Sequence, residues 1–287
     1  MKSPISINQL PKYSPWPSRL MGIDDFRQVK RTEAKITEEY NDDKYAKLLA
    51  YQRIHPKASM ERIRLANFGF PRGKKVISKN GELFLEDTRN ALAAADTIFV
   101  ERMSSIIEKR SVRSGPVYVV ELGAGYGYNL YLLAKKYPNL FYMGGEYSRN
   151  AIMLGRQLLA KNRISVMPFN FYNERTYLRF MKGNTLIFTR QATEQLPSAT
   201  CFVKILKKWR AKILDVVHFE PVFEFHDRAT TLGLMRCKYT MINDYNRDLF
   251  SILKNARSHI QVLEKEYDLY GYHPFNPISF IHWRFLN

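Results

Sequence analysis

Residues 116–287 are predicted to fold as an α/β domain built on a doubly wound, mostly parallel sheet. Three observations carry that prediction. Short, nearly continuous apolar runs recur, beginning with VYVVEL at 117–122, the mark of strands buried on both faces. Helical segments separate these runs at a steady rhythm. Glycines at 123, 125 and 127 follow the first run directly, where a strand has to turn sharply into a helix.

The elements follow in order. Residues 1–23, with four prolines in the first twenty, read as an extended arm. Residues 24–54 carry helical periodicity through Phe26, Val29, Ile36, Tyr40, Leu48 and Leu49. KKVISKNGELFLED sets Asn80-Gly81 between apolar alternations, a hairpin signal. Thr88 to Arg110, alanine-rich and periodic, is a long helix. After the first strand, GYNLYLLAKKY is helical, 140–146 is a second strand, and 148–162 a helix capped by Ser148. Strands at 164–170, 184–189 and 212–222 follow, the last broken by Pro221, with a helix at 201–210 between. A helix at 244–256 and strands at 259–267 and 278–286 close the chain. The division is therefore an N-terminal part, 1–115, and a sheet domain, 116–287.

Composition narrows the function classes. A chain of 287 residues with 45% apolar content buries a good core. No apolar run approaches the roughly 18–20 residues of a bilayer span, and the first residues lack a signal-peptide core. Cys201 and Cys237 alone make neither a disulfide framework nor a zinc cluster, which fits a reducing cytoplasm. The net charge of +18 invites nucleic acid, but it is spread evenly: 22 Lys and Arg against 14 Asp and Glu in 1–115, and 23 against 13 in 116–287. Anionic small molecules or an anionic surface suit the same field.

The glycine run has the form E-x-G-x-G-x-G, from Glu121 to Gly127. A dinucleotide fingerprint needs glycine at 128, where Tyr128 stands. A carboxylate beside the loop repels phosphates and attracts cations, so the expected cofactor is a nucleoside with cationic groups and no phosphate. S-adenosylmethionine (SAM) meets that description. Glu146, at the tip of the second strand, is placed to accept both ribose hydroxyls. Asn170 offers a hydrogen bond to an adenine edge, and Phe171 or Phe169 stacks on the ring or packs beneath it. A Rossmann-like domain for another nucleotide is the alternative.

Residues 117–222 resemble the core of the class I SAM-dependent methyltransferases, through VELGAGYG, GGEYS and PFNF in that order. The resemblance implies SAM as cofactor, held by Glu121, Gly123, Ala124, Gly125, Gly127, Glu146, Tyr147, Asn170 and Phe171. Asn170 departs from the family's usual Asp. A seven-stranded sheet of order 3-2-1-4-5-7-6 is also implied, its last strand antiparallel. The resemblance does not reach residues 1–115, which are expected to form a helical lid or, alternatively, an arm for homodimer formation.

Methyl transfer needs a nucleophile held in line with the methyl group, and a base when that nucleophile carries a proton. Candidates follow strands four and five. Glu194 and Gln195, in TRQATEQLPS, suit a polyol or amine, or else simple polarity at a helix start. His218 and Glu220 share one strand face. His218 is the natural general base, with Glu220 orienting it or binding substrate, unless His218 is a core residue. Glu224 repeats the idea more weakly, and Asn246 is placed to face the pocket. Asp244 reads as a helix cap. No metal spacing is present, so a metal-free mechanism is expected.

The order E-Q-L-P, H-F-E-P, D-Y-N and N-P-I-S-F-I-H-W-R is similar to a loosely defined group of bacterial enzymes labelled sugar methyltransferases. That group commonly has His where this chain has Gln191. A small polar acceptor such as a sugar or natural product follows. RNA or a peptide is the alternative acceptor, and a non-catalytic SAM-binding scaffold is a third reading.

Overall fold

The proline-rich start does not stay extended. Ser3–Ile5 forms strand β1, Ile7–Lys12 a 3₁₀ turn and Trp16–Met21 helix α1. The structure, a computed structural model, describes residues 2–26, 28, 30–114 and 117–286. Val29 and the boundary residues 115 and 116 lie outside the described residues.

Helical backbone begins at Glu33, not at 24. Glu33–Ile36 (α2) runs into a π-type stretch, Thr37–Tyr45, and then into Ala46–Ile54 (α3). Thr32 caps the start by accepting the Lys35 N–H. Helix α4, Met60–Asn67, follows. The Asn80-Gly81 hairpin is present, joining β2 (Lys74–Lys79) to β3 (Glu82–Asp87). Asn80 and Gly81 have φ of +53° and +84°, as a two-residue hairpin turn with both central residues left-handed requires. β1 adds to β3, giving a small antiparallel sheet of order β1-β3-β2. Helix α5 then spans Thr88–Ser114.

The sheet domain alternates as expected: β4 (Tyr118–Leu122), α6 (Tyr128–Lys136), β5 (Phe141–Glu146), α7 (Arg149–Leu158), β6 (Ile164–Pro168), α8 (Glu174–Tyr177), β7 (Thr185–Arg190), α9 (Thr200–Lys208) and β8 (Ile213–Glu220). Next come α10 (Thr231–Ile242), unanticipated from sequence, then α11 (Leu249–Asn255), β9 (Ile260–Tyr270) and β10 (Ile278–Phe285). The strand order is β6-β5-β4-β7-β8-β10-β9. Only β10 runs against its neighbours β8 and β9. Numbered within this sheet, the order is the expected 3-2-1-4-5-7-6.

Both faces of the sheet are covered, which is why its strands read as unbroken apolar runs. On one face Phe99, Met103 and Ile107 of α5, with α6 and α7, pack on Val119, Phe188, Phe219 and Phe280. Tyr45, Leu48 and Leu49 join that same cluster, so the apolar core continues across the expected boundary. On the other face α9 and α11 pack on Ile187, Val216, Ile281 and Trp283. The small sheet docks by a hydrogen-bonded bridge between Ser78 and Gly271. Beneath it, fully buried Asp268 accepts from Ser78, Gly81 and Arg236. Among the described residues no helix is long and apolar enough to cross a membrane.

Candidate active site

β4 and β7 lie side by side, and the chain departs from them in opposite directions across the sheet. That is the switch point where doubly wound sheets open a crevice at the carboxyl ends of their strands. A cavity of about 610 Å³ occupies it. Its floor is the segments after β4, β5, β6 and β7; its roof is Arg31, Ile36, Tyr40, Lys44, Tyr45 and Arg64.

The glycine loop is wrapped tightly by the protein. Gly123 has φ of +85°, and a Cβ there would lie 2.2 Å from the Ala192 Cβ. Gly125, at φ +54°, passes directly under the Tyr45 hydroxyl. Gly123, Ala124 and Gly125 line the cavity. Gly127 does not; a Cβ there would press on Leu159 and Val166, so this glycine serves close packing. Four of the loop's amides are engaged within the chain. Gly123 and Ala124 donate to the Gly145 carbonyl, Gly127 to Ala124, and Gly125 to the Glu146 carboxylate at 2.7 Å.

Glu146 lines the cavity with its other oxygen accepting the Ser148 N–H at 2.8 Å. Burial raises its pKa against those backbone donors and Lys44. Tyr147 stands at the rim, its hydroxyl donating to Glu33 of the roof at 2.6 Å. Asn170 folds its side chain onto the Tyr172 N–H, and Phe171 sets its ring edge-on to Phe169 and Phe202; both residues line the cavity. Glu121 sits one layer behind. It is fully buried and absent from the lining, with Oε1 taken by Asn129 and Oε2 unpartnered. Burial pushes its carboxyl up to about 8.

On the acceptor side the expectations divide. Glu194, Gln195 and Gln191 line the cavity. Gln191 takes a positive φ of 55° at the end of β7, its N–H held by the Phe219 carbonyl. Glu194 accepts from Gln195 Nε2 and Asn276 Nδ2, each at 3.0 Å. Its pKa is raised, chiefly by burial.

His218, Glu220, Glu224 and Asn246 do not reach the cavity, and each has a structural task. His218 is fully buried within the sheet, sharing a 2.8 Å hydrogen bond with Thr189 and lying between Phe202 and Trp283. Burial drops its pKa to about 3, so the imidazole is neutral and inaccessible to an acceptor. Glu220 caps the loop after β7, accepting from the N–H groups of Ala192, Thr193 and Glu194. Glu224 accepts from the amide and hydroxyl of Ser251 on α11. Asn246 accepts from Asp248 and Leu249, doing the capping expected of Asp244, and its own N–H holds the Glu194 carbonyl.

Sequence reasoning expected a lid from residues 1–115 but named none of its cavity-lining side chains as site residues, and it missed the polar chain beneath. Asp96 on α5 gathers Arg64, Tyr128 and Arg190, and Arg190 continues through Asn129 to Glu121. The π-type stretch brings Tyr40, Lys44 and Tyr45 to one side, with the Lys44 ammonium 5.1 and 5.3 Å from the two ring centroids. No periodicity in TEEYNDDKY signals it. Among the described residues no group of His, Cys, Asp and Glu is set to hold a metal ion.

No protein-family model matches the chain. No curated protein sequence matches it either. Among solved structures, the plantazolicin methyltransferase BpumL, in complex with a triazolic desmethylPZN analog and SAH, is 12% identical over 89% of this chain and 100% of its own, with a TM-score of 0.47. The mitomycin 7-O-methyltransferase MmcR is 14% identical over 66% of this chain, which spans 56% of MmcR, with a TM-score of 0.45. The fibrillarin/Nop5p complex gives 18% identity over 59% of this chain and 72% of that one, with a TM-score of 0.40. Seven strands in the order described, one of them antiparallel, with a crevice at the switch point, make this the class I SAM-dependent methyltransferase fold.

Proposed function

We propose that this protein is a SAM-dependent methyltransferase acting on a hydroxyl or amine of a small polar acceptor. One observation carries the reading. The amides of Gly123, Ala124, Gly125 and Gly127 are all engaged within the chain, one of them by a carboxylate in the cavity lining. A pyrophosphate cradle needs such amides free and keeps acids away. This floor suits a nucleoside without phosphate.

Glu146 would hold the ribose hydroxyls, Asn170 and Phe171 the adenine, and Gly123 to Gly125 the backbone side of the ligand. Glu121 acts from behind, through Asn129. SAM supplies a methyl group on a sulfonium. Glu194, buried in the wall and braced by two amides, takes the acceptor's proton. Glu220 positions Glu194 by holding the turn that carries it. Residues 31–67 close over the site as a lid and exclude water. The two free thiols, Cys201 and Cys237, fit the reducing cytoplasm.

Calorimetry with SAM, SAH, ATP and NAD is the direct test. SAM and SAH are expected to bind at micromolar Kd; ATP or NAD binding in their place sinks the reading. Radiolabelled SAM with fractionated cell extract then finds the acceptor. The net charge of +18 favours a second reading, an acceptor carried on RNA or a peptide. Labelling of those fractions, with strong salt sensitivity, supports it.

A further inference from the structure

The turn that carries Glu194 is held by two residues of opposite hydrogen-bonding sense. Glu220 takes its N–H groups, those of Ala192, Thr193 and Glu194. Asn246 takes its carbonyls: the Asn246 N–H donates to Glu194 at 2.8 Å and Nδ2 to Leu196 at 3.1 Å. Glu220 is anchored in the sheet, at the end of β8. Asn246 is not; it lies in the short connection between α10 and α11. Whatever seats that connection also seats Glu194.

Arg31, at the start of the roof, reaches three of its residues in succession. Nε donates to the Asn243 carbonyl at 3.0 Å, the backbone N–H to the Asp244 carboxylate at 3.0 Å, and Nη2 to the Tyr245 hydroxyl at 3.1 Å. The fourth residue is Asn246. Arg31 is 6% exposed and Asn243 likewise, so losing the guanidinium leaves a buried carbonyl without its donor. Asp244 stands at φ +51°, a left-handed setting that an L residue keeps only with local partners. Further along, the roof is tied to the other side of the floor. Asn41 accepts from the Ser148 hydroxyl and the Asn150 N–H, and the Ser148 N–H holds Glu146. Residues 31–41 thus bridge the Glu146 side of the cavity to the Glu194 side.

Resting on the methyltransferase reading, we infer that Arg31 is a positioning residue for Glu194, acting through residues 243–246 as a clasp. The base takes its working place only when this corner of the lid is seated. Lid closure then completes the catalytic arrangement as well as excluding water. Charge is a second route by which Arg31 reaches Glu194. Burial raises the Glu194 pKa, while the Asn276 and Gln195 bonds and then the charges of Arg31 and Lys44 oppose that rise. Lysine at position 31 keeps the charge but offers one nitrogen in place of a rigid fork, so Arg31→Lys separates the seat from the charge.

Amide hydrogen exchange, followed by NMR on the SAH-saturated protein, tests the clasp. In Arg31→Met the Asn246 amide should exchange at least about tenfold faster, with sheet amides such as Val119 unchanged. Arg31→Lys should remain at least about fivefold faster than wild type. Coupling is reciprocal, so Asn246→Ser, which keeps an oxygen to cap α11 but cannot reach Leu196, should speed exchange at the Arg31 amide about threefold. With tritium-labelled SAM and the extract fraction that the wild type methylates, R31M should lose about tenfold in kcat while KM for SAM stays within about twofold. The clasp is overturned if Asn246 in R31M exchanges at the wild-type rate or Val119 speeds up equally. It is also overturned if R31K restores wild-type exchange, if N246S leaves the Arg31 amide unchanged, or if kcat in R31M holds. Titrating SAH into the wild type separates the two failures. Intact SAH binding with any of these results removes the clasp only, whereas absent SAH binding removes the methyltransferase reading. If R31M does not fold, Tyr245→Phe deletes a single acceptor of the clasp and should speed Asn246 exchange about threefold.

Discussion

The floor and the roof of the cavity are built on different principles. On the floor, carboxylates meet backbone: Glu146 holds Gly125 and Ser148, and Glu220 holds three consecutive amides of the loop after β7. These two carboxylates fix main chain, so the turns they hold are set by covalent geometry at the strand tips. On the roof, side chains meet side chains. Lys44 lies over Tyr40 and Tyr45, Arg64 over Phe68 and Tyr128, and Tyr147 reaches Glu33. Such contacts are individually worth about 0.5–2 kcal/mol and rearrange without unfolding anything. A rigid floor under an adjustable roof suits a cofactor of fixed shape and an acceptor that must enter and leave.

That contrast predicts a gradient of damage, steepest where the floor touches the chemistry. Glu194→Gln removes the proposed base while keeping the shape, so kcat should fall by about 10²–10⁴-fold. SAH affinity should stay within about threefold, since Glu194 lies on the acceptor side. Parallel loss of SAH binding in E194Q would merge the two ends of the floor and break the division drawn here. Gly123→Ala comes next. Its Cβ would meet Ala192 at 2.2 Å in a backbone of φ +85°, and Ala192 is pinned by Glu220. Strain and overpacking together should cost about 3 kcal/mol of stability, read from denaturant unfolding, and SAH binding should be lost with it.

Glu220→Gln probes positioning without touching a ligand. The amide presents donors to a ring of N–H donors, so the 192–195 turn should shift and kcat fall by about tenfold with SAH affinity held. A pH signature marks the role. Burial, with neighbouring Glu194, raises the Glu220 carboxyl from 4.5 to about 7. Between those values the folded chain keeps a proton that the unfolded chain has released, so stability falls as pH rises through the window. E220Q should lose that part of the slope in urea melts across pH 4.5–7. His218 runs the other way. With its pKa lowered to about 3, the folded chain refuses a proton the unfolded chain accepts, so stability falls as pH drops below 6.5.

The floor was legible in the sequence because its signals are local. An acid, alternating glycines and a second acid at a strand tip report backbone shape within a few residues; Gly123, Gly125 and Glu146 line the cavity, while Glu121 stands behind it. The strands were legible because burial on both faces leaves unbroken apolar runs. His218, Glu220, Glu224 and Asn246 misled because buried polar residues near strand ends look alike from sequence, whether they serve substrate or satisfy backbone. For Glu220 the answer lies in partners 26 to 28 residues away, Ala192, Thr193 and Glu194. Helix α10 escaped for a similar reason: Arg236, a charge at the heart of its buried face, is neutralised by Asp268 on β9. A lid was expected over the site, but which of its side chains face the cavity had no signal, because a π-type turn takes its geometry from packing, here against α7 and the glycine loop.

The smallest predicted effect is therefore on the roof. Tyr45→Phe removes only the hydroxyl above Gly125, where even a glycine Cβ would lie 2.5 Å away. The ring keeps its place in the core beside Leu48 and Leu49, so thermal stability should change by less than about 1 kcal/mol. What changes is the ceiling over the cofactor. A slightly looser roof should raise KM for SAM by about two- to fivefold with kcat nearly constant, the mark of binding lost equally from ground and transition states. A Tyr45→Phe enzyme whose kcat collapses while KM holds would place the roof within the chemical step, and the floor alone would no longer account for catalysis.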